Sequence, residues 1–408
     1  MSDGVSEDVP EDISEGDAVD DDLARTYAAV TGAEPAELLA PLVEADGGQL
    51  VSAAREDVTY RPGHDVTVRL AATVLREGVE AREGWVVSAG GPPPVRGHVL
   101  DGPAGPVSAW RVRDDPDLVG LRSALDAGAV TGLLTALGLP ADGLQLTLVS
   151  VRPRRRAVVE VRTASARLFL KCVPPARAAE LDVRHHACRD AGIPVPKSLA
   201  VDPDLGLLVL SPLPGTPLRS LLLADAAGLP PAGQVADLLR SFSGLDLALP
   251  ARDPRRHARG HGALLQEVLP DERGRVDAQL ARVLDGPGSS GGVHGDFYDA
   301  QLLAQDGHVV GVVDVDGAGS GRPCDDAGNL LAHLLVLRTL GDAGRAAGRW
   351  LPGVADAVRP LHPPAELACS TAAILLGLAT WPHSRHAPDW VQQTRGLLDL
   401  VDEVLSEA

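Results

Sequence analysis

Apolar positions recur with two periods along this chain, and the change of period divides it. Over 23–44 they return every three or four residues, which predicts a helix broken near Pro35. Over 57–71 polar and apolar residues alternate, which predicts a hairpin turning at Pro62-Gly63. Strands are expected at 84–90 and 107–113, separated by a Pro/Gly-rich loop over 90–106, and a helix over 117–137. From 148 the alternation sharpens. Segments 147–152 and 157–163 make a hairpin, 166–173 a third strand, 176–191 a helix, and 195–201 and 206–212 two more strands. That is a five-stranded sheet with one inserted helix. From 216 onward helical spacing dominates, interrupted by strand and loop signals at 288–316. A β-rich part followed by a helical part is an α+β arrangement.

The first hairpin has an echo. V-T-Y-R-P-G-H-D-V-T-V-R from Val58 resembles V-S-V-R-P-R-R-R-A-V-V-E-V-R from Val149, and both read strand, Arg-Pro turn, strand. Two copies fall short of a repeat architecture.

Charge changes the picture only at the N-terminus. The net charge is −19, and ten acidic residues lie between Asp3 and Asp22 without a Lys or Arg, the composition of a solvated, disordered tail. The remaining body, near −9, offers no broad basic face, which argues against a nucleic-acid partner. The first residues lack a basic stretch leading into an apolar one, so no secretory signal is read. The longest apolar stretch, around Thr371–Ala379, is short of the roughly 20 residues of a membrane helix. Cys172, Cys188, Cys324 and Cys369 have no C-x-x-C spacing and read as core thiols of a reduced, cytoplasmic protein. The chain has 35 Arg but only two Lys, Lys171 and Lys197. A Lys kept against that bias marks a place where a compact point charge serves better than a planar fork.

The chemistry concentrates in G-V-H-G-D-F-Y-D-A-Q over 292–301 and V-V-G-V-V-D-V-D over 309–316, followed by Gly321, Pro323 and Asp326. An acidic residue, Asp296, sits in a glycine-flanked loop. Two apolar strands follow, and the second, Val309–Val313, ends in Asp314. Such a hairpin brings Asp296 and Asp314 together with Gln301 between them. Phosphoryl transfer needs a set of this kind: a carboxylate to orient and deprotonate a hydroxyl, and oxygen ligands for a Mg²⁺ that bridges phosphates.

These residues resemble the signature of the aminoglycoside phosphotransferases and their kin, H-G-D-x-x-x-x-N, then [IV]-D-x-[DE], then G-x-P-x-x-D. His294, Gly295, Asp296, Asp314, Asp316, Gly321, Pro323 and Asp326 match, while Gln301 stands where most relatives have Asn. Maltokinase-like and glucosamine-kinase-like members look similar at that position. The resemblance covers about 148–408. It implies a bilobal, protein-kinase-like fold with a small β-rich N-lobe (148–213) and a larger helical C-lobe (214–408). Residues 1–22 would be the acidic tail, and 23–147 an extra N-terminal α/β cap. It implies Asp296 as the catalytic base, Gln301 and Asp314 as Mg²⁺ ligands, and His294 as a brace of the loop. Asp316 would assist, and Asp326 would be structural, capping a helix at Asn329–Leu337. On the nucleotide side it implies that Lys171 reaches the phosphates of ATP, held by Glu180 with Asp182 as the alternative, and that backbone near Ser211–Leu213 reads adenine.

No G-x-G-x-x-G and no Walker motif precedes Lys171. Arg154, Arg155 and Arg156 occupy the hairpin turn instead, and two readings stay open: contact with phosphate, or an exposed turn cluster. The expected activity is ATP- and Mg²⁺-dependent phosphorylation of a small-molecule hydroxyl on a sugar, amino sugar or aminoglycoside. Acceptor choice is expected to lie in 216–275 and 340–395. The competing readings are a nucleotide-binding pseudokinase acting as a regulatory module, and a hydrolase or metal-binding protein that uses no nucleotide.

Overall fold

The computed structural model describes residues 21–407 apart from 62–64, 103, 104, 252 and 287. The expected tail over 1–20 and the turn at Pro62-Gly63 lie outside the described residues. Helix α1 (Asp21–Gly32) begins two residues inside the stretch read as tail, and α2 (Pro35–Ala45) starts on Pro35. A proline at the first helical position loses no hydrogen bond, so Pro35 opens a helix instead of kinking one.

Strands β1 (Gln49–Arg61), β2 (Asp65–Arg76), β3 (Val79–Ala89), β4 (His98–Gly102) and β5 (Gly105–Arg111) form an antiparallel sheet of order β1-β2-β3-β5-β4. β4 lies inside the segment expected to be loop. It is an edge strand, largely exposed on both faces, so it carries no hydrophobic alternation to read. The helix expected over 117–137 is two pieces, α3 (Leu121–Ala124) and α4 (Ala127–Ala136). The break is at Asp126, whose carboxylate caps α4 by accepting from the Ala129 N–H at 2.8 Å.

The second sheet contains β6 (Gln145–Arg152), β7 (Arg156–Arg162), β8 (Arg167–Cys172), β9 (Ser198–Asp202) and β10 (Leu207–Leu210), with α5 (Pro175–Asp190) between β8 and β9. Its order is β6-β7-β8-β10-β9, the same as the first sheet counted from each leading hairpin. The echo at Val58 and Val149 thus heads two sheets of equal topology. Alternation in β3 and β5 joins them. Trp85, Val87 and Ala109 face α1 and α2, whereas Val86 and its cross-strand partner Trp110 pack with Val159 and Leu170 of the second sheet.

The rest is mainly helical. It runs through β11 (Thr216–Pro217), α6 (Leu218–Leu223), α7 (Ala232–Ser243), α8 (Pro254–Val268) and α9 (Arg273–Leu284). A β-interruption follows: β12 (Gly291–Val293), β13 (Leu302–Gln305), β14 (His308–Val312) and β15 (Gly319–Gly321). Then come α10 (Pro323–Arg338), α11 (Arg345–Val358), α12 (Pro364–Ala379), α13 (Trp381–Ser384) and α14 (Trp390–Ser406). Pro364–Ser384 is long and apolar enough to cross a membrane, against the sequence expectation, because α12 and α13 run on together. However, 83% of its apolar window is buried inside the protein, where α8, α10 and α14 pack on α12. All four cysteines are buried and free. The fold is α+β, a sheet-rich N-lobe followed by a helical C-lobe.

The N-terminal unit touches both lobes. Leu264 of α8 joins its core, and the Tyr27 hydroxyl donates to the His383 carbonyl at 2.7 Å while its ring stacks on Tyr60.

Candidate active site

The loop from His294 to Gln301 joins β12 to β13. Gly295 has φ 85°, and a Cβ there would lie 2.3 Å from the Gly317 carbonyl oxygen, so only glycine lets this loop cross the turn after Asp314. His294 is fully buried. Its Nε2–H donates to the Val313 carbonyl at 3.0 Å and its Nδ1 accepts from the Asp296 N–H at 3.2 Å. Burial pushes its pKa down to about 4, which keeps the ring neutral as the accepting Nδ1 requires.

The first turn of α10 holds the same loop. Asp326 accepts from the N–H groups of His294 (2.6 Å) and Gly295 (2.9 Å). Three residues on, and so on the same helix face, the Asn329 amide donates to an Asp296 carboxylate oxygen at 3.0 Å. Asp326 does not cap a helix beginning at Asn329, as expected. The helix starts earlier, at Pro323, and the Asp326 carboxylate ties down the His294–Gln301 loop instead. Burial pushes it up to about 7, against the opposing pull of those backbone bonds. Asn329 is the only asparagine in the chain, a rarity that could have marked it, but the sequence reading gave it no role in the site.

The end of the loop is zipped to β14. The Gln301 N–H donates to Tyr298 and the Gln301 carbonyl accepts from the Val313 N–H at 2.9 Å. This brings the Gln301 amide to 3.5 Å from Asp314. Asp314, two residues past β14, sits in the left-handed region, φ 65°, and turns the chain so that Asp316 also meets Lys171. Beneath the loop, Arg219 makes a buried pair with Asp299, Nε to Oδ2 at 2.8 Å, which the sequence reading missed.

On the other wall of the site, Lys171 of β8 is buried, with 5% exposure, which excludes a surface lysine. Its ammonium bonds to Asp314 at 2.7 Å and also to Asp316. Arg156 of β7 holds the other Asp314 oxygen. Burial alone would raise the Asp314 pKa, yet Arg156 and Lys171 hold it well below the usual carboxylate range. Burial pushes Asp316 up; Lys171 draws it back, and repulsion from Asp314 adds to the rise. Arg152 lies near enough to interact with Asp296 and Asp314, and burial, with Arg156 and Arg155 alongside, pushes it down to about 9.

The expected Lys171–Glu180 pair is not formed. Glu180 bonds to Arg184 one turn along α5, Nε to Oε1 at 3.1 Å, and Asp182 faces His186. Arg184 is buried and donates to the Ala318 carbonyl, so α5 reaches the Asp314–Asp316 segment through an arginine. The arginine turn is not an exposed cluster either, since none of Arg154, Arg155 and Arg156 is fully exposed. At the expected adenine position, the Ser211 N–H donates to the Lys197 carbonyl and the Ser211 hydroxyl accepts from the Lys197 N–H, both at 2.9 Å. Leu213 packs over Gly311 of β14.

Beside Asp296 lies a small pocket lined by Asn329, Arg322, Asp325, Pro254 and Ile374. Pro254 and Ile374 fall in the stretches expected to choose the acceptor, whereas Arg322 and Asp325 do not. Arg322 bonds to Asp325 at 3.1 Å and to Asp253, and the Ser370 hydroxyl donates to Asp325 at 2.7 Å.

The sequence model of the phosphotransferase enzyme family matches residues 152–361, slightly more than half the chain. No curated protein matches it. Among solved structures, one described as an aminoglycoside phosphotransferase from Ralstonia eutropha is 16% identical. It covers 69% of this chain and 99% of its own, with a TM-score of 0.50, and supports the fold. Aminoglycoside phosphotransferase APH(4)-Ia, in a ternary complex with AMP-PNP and hygromycin B, is 14% identical over 68% of this chain and 98% of its own, TM-score 0.49. Choline kinase LicA from Streptococcus pneumoniae is 12% identical over 69% and 99%, TM-score 0.47. The matched segment begins at Arg152 and takes in Lys171, the His294–Gln301 loop, Asp314 and α10, and on that match the chain belongs to the phosphotransferase enzyme family.

Proposed function

We propose that the protein moves the γ-phosphate of ATP, with Mg²⁺, to a hydroxyl of a sugar, amino sugar or aminoglycoside-like molecule. The observation that carries this reading is the Asp296 carboxylate, fixed by Asn329 at a pocket, on a loop whose far end sets Gln301 against the Asp314–Lys171 pair. Asp296 orients the acceptor hydroxyl and takes its proton as the oxygen attacks phosphorus. Lys171 offers its charge to the phosphates. Backbone near Ser211 and Leu213 borders the adenine. Residues 23–147 serve as a cap on the two lobes, 148–213 and 214–408.

The donor set suits a hard cation. Asp314 is held ionised, and the Gln301 amide lies next to it. Among the described residues no three His, Cys, Asp or Glu side chains converge as a metal site, so the protein supplies few ligands and leaves the rest to phosphate and water. Bound by Asp314 and Gln301, Mg²⁺ would neutralise charge building on the phosphate oxygens. A donor of this kind is met in the cytoplasm, where free thiols also stay reduced.

The test is ATP consumption against a panel of sugars, amino sugars and aminoglycosides, with Asp296→Ala as the blank. Turnover that falls by roughly 10³-fold or more in the variant supports the proposal. Equal rates in the two would remove Asp296 from the mechanism. Nucleotide binding with no turnover on any acceptor would favour a pseudokinase that regulates or docks.

A further inference from the structure

The β6–β7 hairpin precedes Lys171 in the chain where a glycine-rich loop would be expected, yet its turn, Pro153-Arg154-Arg155, contains no glycine. A turn without glycine offers little freedom for backbone N–H groups to fold around an anion. What it offers is side-chain charge. From its two strand ends, Arg156 reaches Asp314 and comes within 3.8 Å of Asp316, and Arg152 interacts with Asp296 and Asp314. Arg156 thus bonds to the carboxylates that a metal–nucleotide complex would share, and Arg152 lies within electrostatic range of them.

The tip of the hairpin is held from elsewhere. Arg154 sits at φ 64°, a left-handed conformation that is strained for a non-glycine residue. The N-terminal cap compensates for it. The Arg154 N–H donates to Asp115 at 2.9 Å, its guanidinium bonds to Asp117 at 3.1 Å and to the Pro92 carbonyl at 2.5 Å, and it lies 4.8 Å over the Trp110 ring. Asp115 itself is buried and also accepts from the Asp117 and Leu118 N–H groups, so the anchor is rigid.

We propose that Arg156 and Arg152 form a side-chain clamp on the nucleotide's β- and γ-phosphates, and that the N-terminal cap sets its height through Arg154. This rests on the nucleotide-dependent reading of the site. Arg156 would leave Asp314 when the nucleotide enters, exchanging a carboxylate for a phosphate oxygen, and a planar guanidinium can bind either in the same forked manner. Arg154, Asp115 and Asp117 are positioning residues. The cap thereby gives the hairpin the fixed geometry that glycine backbone contacts would otherwise provide.

The test compares binding of ATP, ADP and adenosine to the full chain by calorimetry. Wild type binding neither ATP nor adenosine would overturn the nucleotide reading itself. Given a wild type that binds ATP, Arg156→Ala is expected to weaken ATP by about 10- to 100-fold and ADP by less, leaving adenosine unchanged. Arg156→Lys should recover part of the loss. Asp117→Ala, far from the nucleotide, should weaken ATP by about 3- to 10-fold, again sparing adenosine, with no further loss when Arg154→Ala is added. If Arg156→Ala binds ATP as tightly as wild type, or more tightly, Arg156 only shields Asp314 and the clamp is wrong. If Asp117→Ala changes nothing, the cap plays no part. A circular-dichroism melt of each variant distinguishes unfolding from loss of the clamp.

Discussion

The two walls of the cleft are held by different physics. On the Asp296 wall, neutral groups and backbone do the holding. His294 braces two backbone positions, Asp326 caps two more, and Asn329 fixes the carboxylate. On the Lys171 wall, cations of the N-lobe grip carboxylates of the C-lobe directly. Backbone-anchored groups stay in place when a ligand arrives, because each would lose a buried hydrogen bond by moving. A buried ion pair can exchange one anion for another, provided that the incoming anion compensates the cation in full. The comparison teaches that Asp296 is fixed in advance, while under the proposed function Lys171 and Arg156 rest on Asp314 and Asp316 until a nucleotide takes them.

The largest effect expected on the anchored wall is a pH effect. His294 stays neutral in the folded protein to about pH 4, whereas in the unfolded chain it takes a proton near 6.5. The stability it contributes is therefore present above pH 6.5 and lost as the pH falls toward 4. The gap in unfolding free energy between wild type and His294→Gln should narrow by on the order of 3 kcal/mol across that window. A constant gap in denaturant titrations would mean the ring is not held neutral. Gly295→Ala comes next. Its Cβ would press on the Gly317 carbonyl from a positive φ, so a loss of at least about 2 kcal/mol is expected in the same titrations.

Asn329→Ala leaves the fold alone but frees one carboxylate oxygen. Turnover should fall about 10- to 30-fold with nucleotide affinity unchanged, the value of one hydrogen bond to a charged group. A change in nucleotide affinity would blur the division between the walls. Smallest of all, Glu180→Gln should alter nucleotide affinity less than about twofold, because its carboxylate is exposed and serves Arg184. A large loss would mean that Lys171 turns to Glu180 in the working state.

The same division explains what the sequence made legible. The Asp296 wall is local: loop, hairpin and the first turn of α10 fall within 292–329, and their spacing already implied convergence. Asn329 was overlooked because a polar residue inside a helix gives no period. The Lys171 wall depends on contacts more than 140 residues apart, such as Lys171 with Asp314 and Arg156 with Asp314, and spacing says nothing about those. Glu180 was matched to the wrong cation because a helical glutamate finds an arginine four residues on more easily than a lysine on another element. The two readings of the arginine turn stayed open because the residues that cover Arg154, Trp110 and Asp117, lie far from it in the chain.

Titration of the ATP analogue AMP-PNP into wild type, Asp314→Asn and Asp296→Asn, with Mg²⁺ and then with chelator, tests the central claim most directly. Wild type should bind about tenfold or more tightly with Mg²⁺, Asp314→Asn should lose that gain, and Asp296→Asn should keep it. A Mg²⁺ gain that survives in Asp314→Asn, or a wild type that does not bind the nucleotide, would contradict it.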